Sequence, residues 1–433
     1  MSNQNFEYKL GIGENKFQFW LLAFLTFLLG VTIATERVAL PPLAKASFGI
    51  TSLVYTVSFI SAFGIIKSLG NLFAGKLSDR LGRKKILLAG WVAGIAFPLL
   101  VIFANNWIWI IIANLFLGFN QALSWTMTVT SKIDLVGPKK RGIAVGINEA
   151  SGYVGVSVGG YITGLLATNY GLRPSPYIFA LVIVIIGLIL SLLLVKETLP
   201  WAKNEAKQHK LHNNEEQNNS PSLAKIFAYV TWKEPALFAA SQAGFINKWA
   251  DSLVIGFFPL FFLTHHQNLA TVGLIDGIYA AIWGVGQIPS GMLTDKVGRK
   301  WPIAMGQLII AISIVIIVTV DSLGMWIAAA ATMGLGTALV YPNLISVVGD
   351  VSHPNWRGSS LGVYRLWRDA GYAIGPIILG IIATFIGLSS AFWTVAGISA
   401  LSGIIIISVM PETEIHHKKT NFLWQKQPDL FKN

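Results

Sequence analysis

Nine ionisable side chains fall inside stretches that are otherwise apolar: Glu36, Arg37, Lys67, Glu149, Lys248, Asp251, Arg365, Arg368 and Asp369. Charge at such depth is expensive, so these groups face a cavity, pair with one another, or serve a ligand. Carboxylates removed from water can take up and release protons, and Glu36, Glu149 and Asp251 are the candidates for that work. Structural ion pairs draw on the same residue types, so each of the three keeps that alternative. The guanidinium fork of arginine matches a carboxylate or a phosphate. The five cations (Arg37, Lys67, Lys248, Arg365, Arg368) outnumber the four anions. A ligand with an acidic group is therefore expected, beside the alternative of internal salt bridges that favour one conformer.

Spacing sharpens this. Arg365, Arg368, Asp369 and Tyr372 share one helical face. Arg365 is expected to pair with Asp369 one turn on, which leaves Arg368 for Glu149 or for the ligand. Glu149 and Arg365 each follow a glycine by seven residues, about 10 Å at the helical rise. Lys67 precedes Gly75 by eight residues, about 12 Å by the same rise. These three and Arg368 should form one layer, with Glu36 and Asp251 in another nearer the far side. The expected cavity set is Lys67, Glu149, Arg365, Arg368, Asp369 and Tyr372. Trp249, Tyr279, Trp283 and Trp367 are further aromatics near the charges, more often packing residues than lining.

Membrane helices must hold these groups. Of 433 residues, 54% are apolar and 12% charged, with mean hydropathy +0.61, and a soluble chain needs about twice that charge to cover its surface. Helices of about 20 apolar residues span a bilayer. Twelve such stretches run over 17–43, 52–75, 86–104, 108–131, 143–168, 176–195, 235–263, 271–291, 301–320, 324–346, 359–384 and 389–410. Asn105, Asn106 and Trp107 break the uncharged run 86–131 into a hairpin. The first sixteen residues are polar, with no signal-peptide pattern, so the first span is expected to direct insertion. Basic clusters at Lys76–Lys85, Lys139–Arg141 and Lys296–Lys300 fall on alternate loops, which puts both termini in the cytoplasm by the positive-inside rule. The net charge of +12 is read as topology, with no nucleic-acid partner. Cysteine is absent, so disulfides and thiolate metal sites are excluded.

The chain divides into a cytoplasmic tail 1–16, a six-span unit 17–195, a polar linker 196–234, a second six-span unit 235–410, and a tail 411–433. A short amphipathic helix around 223–229 is expected to lie on the membrane surface. The two units repeat. Gly75-Lys-Leu-Ser-Asp79-Arg80-Leu-Gly82-Arg83-Lys84 recurs as Gly291-Met-Leu-Thr-Asp295-Lys-Val-Gly298-Arg299-Lys300, an offset of 291 − 75 = 216. The same offset carries Asp134 to Asp350, Glu149 to Arg365, and Gly155, Gly159 and Gly164 to Gly371, Gly375 and Gly380. Glu197-Thr198 and Glu412-Thr413 differ by 215. Six spans repeated in the same orientation give parallel bundles related by an axis along the membrane normal, with a cleft between them.

The segment Gly75–Lys85 and its degenerate copy after the eighth span resemble the loop signature of the major facilitator superfamily, over the whole chain. The resemblance implies an all-α membrane protein of twelve transmembrane helices in two pseudo-symmetric six-helix bundles, working as a transporter by alternating access. Asp79 is placed where it can accept from the amides opening span eleven, with Arg83 bridging Asp79 to Asp134. Gly75, Arg80 and Gly82 belong to the same signature, and Asp295, Arg299 and Asp350 repeat the trio. Together they are expected to latch the bundles on the cytoplasmic side when the cleft faces outward. Two departures stand out. Gly159-Gly160 lacks the proline of the family's antiporter motif in span five, and Asn114 replaces the arginine common in span four, which removes that route for protons.

The expected activity is secondary transport of a small organic solute, proton-coupled, with export preferred over uptake. Multidrug-type efflux of lipophilic compounds is the alternative, and a non-transporting sensor on the same fold is the reading from another class. No nucleotide-binding loop, His-Glu-x-x-His or Gly-x-Ser-x-Gly pattern occurs, so neither an ATP-driven pump nor an enzyme is expected. No cofactor or metal is expected, and a monomer in a bacterial inner membrane is.

Overall fold

The computed structural model describes residues 8–137, 141–204, 222–352 and 356–413. The expected tails at 1–7 and 414–433 and the linker at 205–221 lie outside the described residues, as do the side chains at Gly75 and Asp295.

The apolar runs fold as twelve long helices. The first six are α1 (Lys16–Phe48), α2 (Ser58–Leu81), α3 (Arg83–Phe103), α4 (Trp107–Val136), α5 (Arg141–Tyr170) and α6 (Ser175–Leu194). Then come α7 (Pro235–Gly256, continued by Phe258–Thr264), α8 (Leu269–Val297), α9 (Lys300–Thr319), α10 (Leu323–Val351), α11 (Arg357–Ile386) and α12 (Leu388–Val409). Among the described residues nine of these are singly long and apolar enough to cross a bilayer, and the two pieces of α7 make a tenth. α2 and α5, of 24 and 30 residues, have the length but carry polar inner faces, with Lys67 and Asn71 on one and Asn148 and Glu149 on the other.

Several boundaries differ from the sequence expectation for physical reasons. The signature segment is not a loop. α2 runs through it to Leu81, and the chain turns at Gly82 alone, with φ +97°; Gly298 repeats this at +93°. That left-handed region suits glycine. Position 75 is therefore helical and makes no turn. α4 contains a π-helical turn at Gln121–Trp125 and continues past the expected end to Val136. α7 is bent by 44° at Phe257, where Pro259 cannot donate a backbone hydrogen bond to the turn before it. The short helix Leu223–Ala228 and the π turn Tyr229–Lys233 pack onto α11. Tyr229 stacks edge-on against Trp356, and Trp367 donates to Thr231 at 3.0 Å.

Each half packs on itself, and the halves meet chiefly through α5 on α8 and α2 on α11. We call the end that bears the Lys76–Lys85 cluster the basic face. Close backbone approaches between the halves are found toward the opposite face. There the backbones of Gly160 and Gly164 approach Gly273 and Leu269, and Gly380 approaches Val54. Small residues permit such approach. Thr168 Oγ1 accepts from the Ala270 amide at 3.0 Å across this seam. The opposite face is closed, and the halves part toward the basic face.

Candidate functional site

The parting encloses a cavity of about 190 Å³ lined by both halves. From the first half come Lys67 and Asn71 (α2), Trp125 and Thr130 (α4), Glu149 and Tyr153 (α5); from the second, Tyr341 (α10), Arg365, Arg368 and Tyr372 (α11). Five of the six residues assigned to the cavity by sequence thus line it. Asp369 is fully buried behind the wall.

The pairing on α11 is the reverse of the expectation. Arg368, not Arg365, holds Asp369, through Nε and Nη2 at 2.7 Å each. Asn71 from the other half also donates to Asp369 at 2.9 Å, and Arg368 reaches the Tyr341 hydroxyl at 3.0 Å. Adjacent residues on a helix do not normally face each other. Here the second-half and first-half neighbours draw both side chains to one point. Arg365 is left half-buried, with no hydrogen bond and no carboxylate within ion-pair distance among the described residues. Lys67 is in the same position; its ammonium lies 5.1 Å from the Phe63 ring and 5.6 Å from the Tyr372 ring. Glu149 accepts from Trp125 Nε1 at 2.8 Å and Asn148 at 3.2 Å, both on Oε1.

Beneath the cavity, toward the closed face, Arg37 from α1 meets two carboxylates of the other half: Asp251 at 3.0 Å and Asp276 at 3.6 Å. Asp251 also takes Lys248 at 3.4 Å and a short hydrogen bond from the Tyr372 hydroxyl. The Lys248 ammonium sits over three rings, those of Trp283, Tyr341 and Tyr372, at 4.6, 5.1 and 4.9 Å. Tyr153 of the first half stacks on Trp283 at 3.7 Å. Glu36 points elsewhere: it is fully buried inside the first half, and neither oxygen has a hydrogen-bond partner among the described residues.

Of the other aromatics, Trp249 packs on Gly375 and Phe245, and Tyr279 is fully buried beside Trp283.

At the basic face Arg83 bridges Asp79 at 2.6 Å and Asp134 at 3.1 Å. Thr198 adds a bond to Asp134 at 3.0 Å, and Glu197 accepts the Arg83 and Lys84 amides at 2.9 and 3.1 Å. In the second half Arg299 reaches Asp350 at 3.4 Å, and Glu412 accepts the Arg299 and Lys300 amides at 2.6 and 3.2 Å. Among the described residues the partner of Asp79 is Arg83, and the Asp79 side chain is 67% exposed. Arg80 is exposed.

Sequence reading missed two buried charges. Asp276 stands eight residues past Asn268, well inside the eighth stretch, and the criterion that found the other nine applies to it. Lys132 is fully buried in α4 and donates to Thr26 at 3.3 Å; it lies just past the expected end of the fourth stretch at 131, and the helix runs on to Val136.

The sequence profile described as Major Facilitator Superfamily matches residues 22–247 and 240–432. An uncharacterized MFS-type transporter of Methanocaldococcus jannaschii is 21% identical over 393 residues, covering 90% of this chain and 97% of the relative. Multidrug resistance protein MdtG of Salmonella choleraesuis is 26% identical over 404 residues, 89% and 92% of the two chains. Among solved structures, the nucleoside transporter NupG superposes with a TM-score of 0.75 at 12% identity, over 91% of this chain and 100% of that one. A POT family transporter in complex with 5-aminolevulinic acid gives 0.71 at 13% identity, over 90% and 95%. The repeated halves, the polar cavity between them and these likenesses agree, and the chain belongs to the Major Facilitator Superfamily as a multi-pass membrane transporter.

Proposed function

We propose that the protein is a proton-coupled secondary carrier that moves a small organic solute bearing an acidic group, with export preferred over uptake. One observation carries the choice of solute: Lys67 and Arg365 line the cavity from opposite halves, and neither has a carboxylate within ion-pair distance among the described residues. An anion between them replaces water around two cations and ties the halves together. The free Oε2 of Glu149 accommodates a positive group on the same solute, so a zwitterion also fits. Glu149 is the proton-coupling candidate that faces the cavity; Glu36 and Asp251 are the others.

The basic clusters put the basic face and both termini in the cytoplasm, so the conformation described is open inward. Units 17–195 and 235–410 then act as the two moving bodies, joined by the linker 196–234. On outward opening, Asp79 closes against the start of α11 with Arg83 and Asp134 behind it, as Asp295, Arg299 and Asp350 do in the second half, Gly75 and Arg80 completing the signature. The chain works as a monomer in a bacterial inner membrane.

Multidrug-type efflux is the second reading. It is favoured by the name of the MdtG relatives and by the aromatic surround of Glu149, where Trp125 and Tyr153 meet, a setting for a lipophilic cation. Proteoliposomes loaded with a panel of organic anions, zwitterions and lipophilic cations, with and without a pH gradient, separate the two. Gradient-driven flux of an anion or zwitterion, lost in Lys67→Ala and Arg365→Ala, is expected. Flux of cations alone, indifferent to both substitutions, rejects the acidic solute.

A further inference from the structure

Arg37 is the one guanidinium among the described residues that joins carboxylates across the boundary between the halves. It lies between the cavity and the closed face, where α7 and α8 present Asp251 and Asp276 to α1. The two acids are held unequally. Asp251 has the Arg37 guanidinium, the Lys248 ammonium and the Tyr372 hydroxyl. Asp276 has Arg37 alone, at 3.6 Å, and neither of its oxygens accepts a hydrogen bond. It is 2% exposed and lies against Gly160 on the α5–α8 seam that seals this face.

The surrounding groups are few. Arg37 faces Asp276 from α1, Asp251 and Lys248 stand on α7, α5 presents the Gly160 backbone, and Tyr279 is the nearest titratable group on its own helix; Tyr372 reaches in from α11 by way of Asp251. Two cations balance two anions in the cluster, and Glu36, fully buried beside Arg37 on α1, is a further carboxyl that acts on Arg37 and Asp251. Breaking one ion pair in such a place leaves charge uncompensated, so the halves cannot separate here while both acids are ionised.

We propose that Asp276 is the carboxyl whose protonation unlocks the closed face. Adding a proton there sacrifices one long ion pair, whereas adding it to Asp251 sacrifices two closer ones. With Asp276 neutral, Asp251 stays with Lys248 on its own helix, and Arg37 loses one of the two anchors that hold α1 to the second half. Opening of this face takes up one proton, and Asp276 acts as a positioning residue without touching the solute. The proposal rests on the alternating-access reading above.

The chain contains no cysteine, so Thr51→Cys and Ser389→Cys, both exposed on opposite sides of the seam, can carry spin labels in an otherwise unchanged protein in lipid nanodiscs. Distances measured by pulsed electron spin resonance from pH 8 to pH 5 should show a longer population that grows as pH falls. Asp276→Asn should raise that population about tenfold at pH 8, a shift of about 1.4 kcal/mol, and abolish its pH response. Asp276→Glu should restore the response, which a merely structural role would not predict. Two populations in wild type that ignore pH, or an Asn variant that keeps the wild-type pH response, overturn the role of Asp276 and leave alternating access standing. A single short distance in every variant and at every pH overturns both.

Discussion

Two arginines in this molecule each hold two carboxylates, and they do different work. Arg83 binds Asp79 and Asp134 within one half, at the water-facing margin. Arg37 binds Asp251 and Asp276 across the boundary, at depth. The same chemistry shapes a bundle in the first case and joins two bundles in the second. What separates them is burial. Asp79 is mostly exposed, and water can replace its partner at little cost; both acids around Arg37 are shut away from water, and they have no such substitute.

Five substitutions test that contrast. Arg37→Ala leaves Asp276 without its cation and Asp251 with Lys248 alone, and should cost about 3–5 kcal/mol, read as a large fall in melting temperature in detergent; a melting point near that of wild type would show the cluster to be dispensable. Asp79→Asn should leave insertion and melting within about 0.5 kcal/mol of wild type, while slowing flux in proteoliposomes at least about tenfold, because the residue matters only when the basic face closes. Normal flux would remove the latch. Arg83→Gln should impair flux more than Arg299→Gln, since Arg83 holds Asp134 at 3.1 Å and Arg299 holds the matching Asp350 at 3.4 Å; equal loss would mean the copies are equivalent. The smallest effect concerns Glu234, at the membrane margin before α7, whose carboxyl is held above its usual range by burial. Ionising it costs the folded state, so stability should rise as pH falls toward its folded value. Glu234→Gln should raise the melting temperature slightly at pH 8 and converge with wild type in acid.

How much of this was legible in the residues depended on the scale of the feature. The two halves could be read because the repeat keeps its register from Gly75 to Gly380. Which residues line the cavity could be read as well, because span depth and helical face are local properties: Lys67, Glu149, Arg365, Arg368 and Tyr372 all reach it. Pairing could not. Arg368 takes Asp369 because Asn71, 298 positions away, and Tyr341 fix where those groups meet. Glu36 satisfied the same rule as Glu149 yet turns into its own bundle, since a helix in a six-helix unit buries faces toward neighbours that no periodicity distinguishes. The second span, expected to end at 75, runs on to Leu81, because a glycine inside a helix and one at a left-handed turn look alike in a sequence.

The π turn in α4 has a consequence for anyone laying this chain beside its relatives. One extra residue between Gln121 and Trp125 rotates everything downstream by about 100°, the angle of a single helical step. Asn114 and Gly118 pack into the bundle on one phase, while Trp125, Thr126, Val129, Thr130 and Ile133 meet the cavity on another. A carrier whose fourth helix is unbroken would show different residues to its solute at matching positions. The face this wall presents to the cavity is thus set by a count of residues as much as by their kinds.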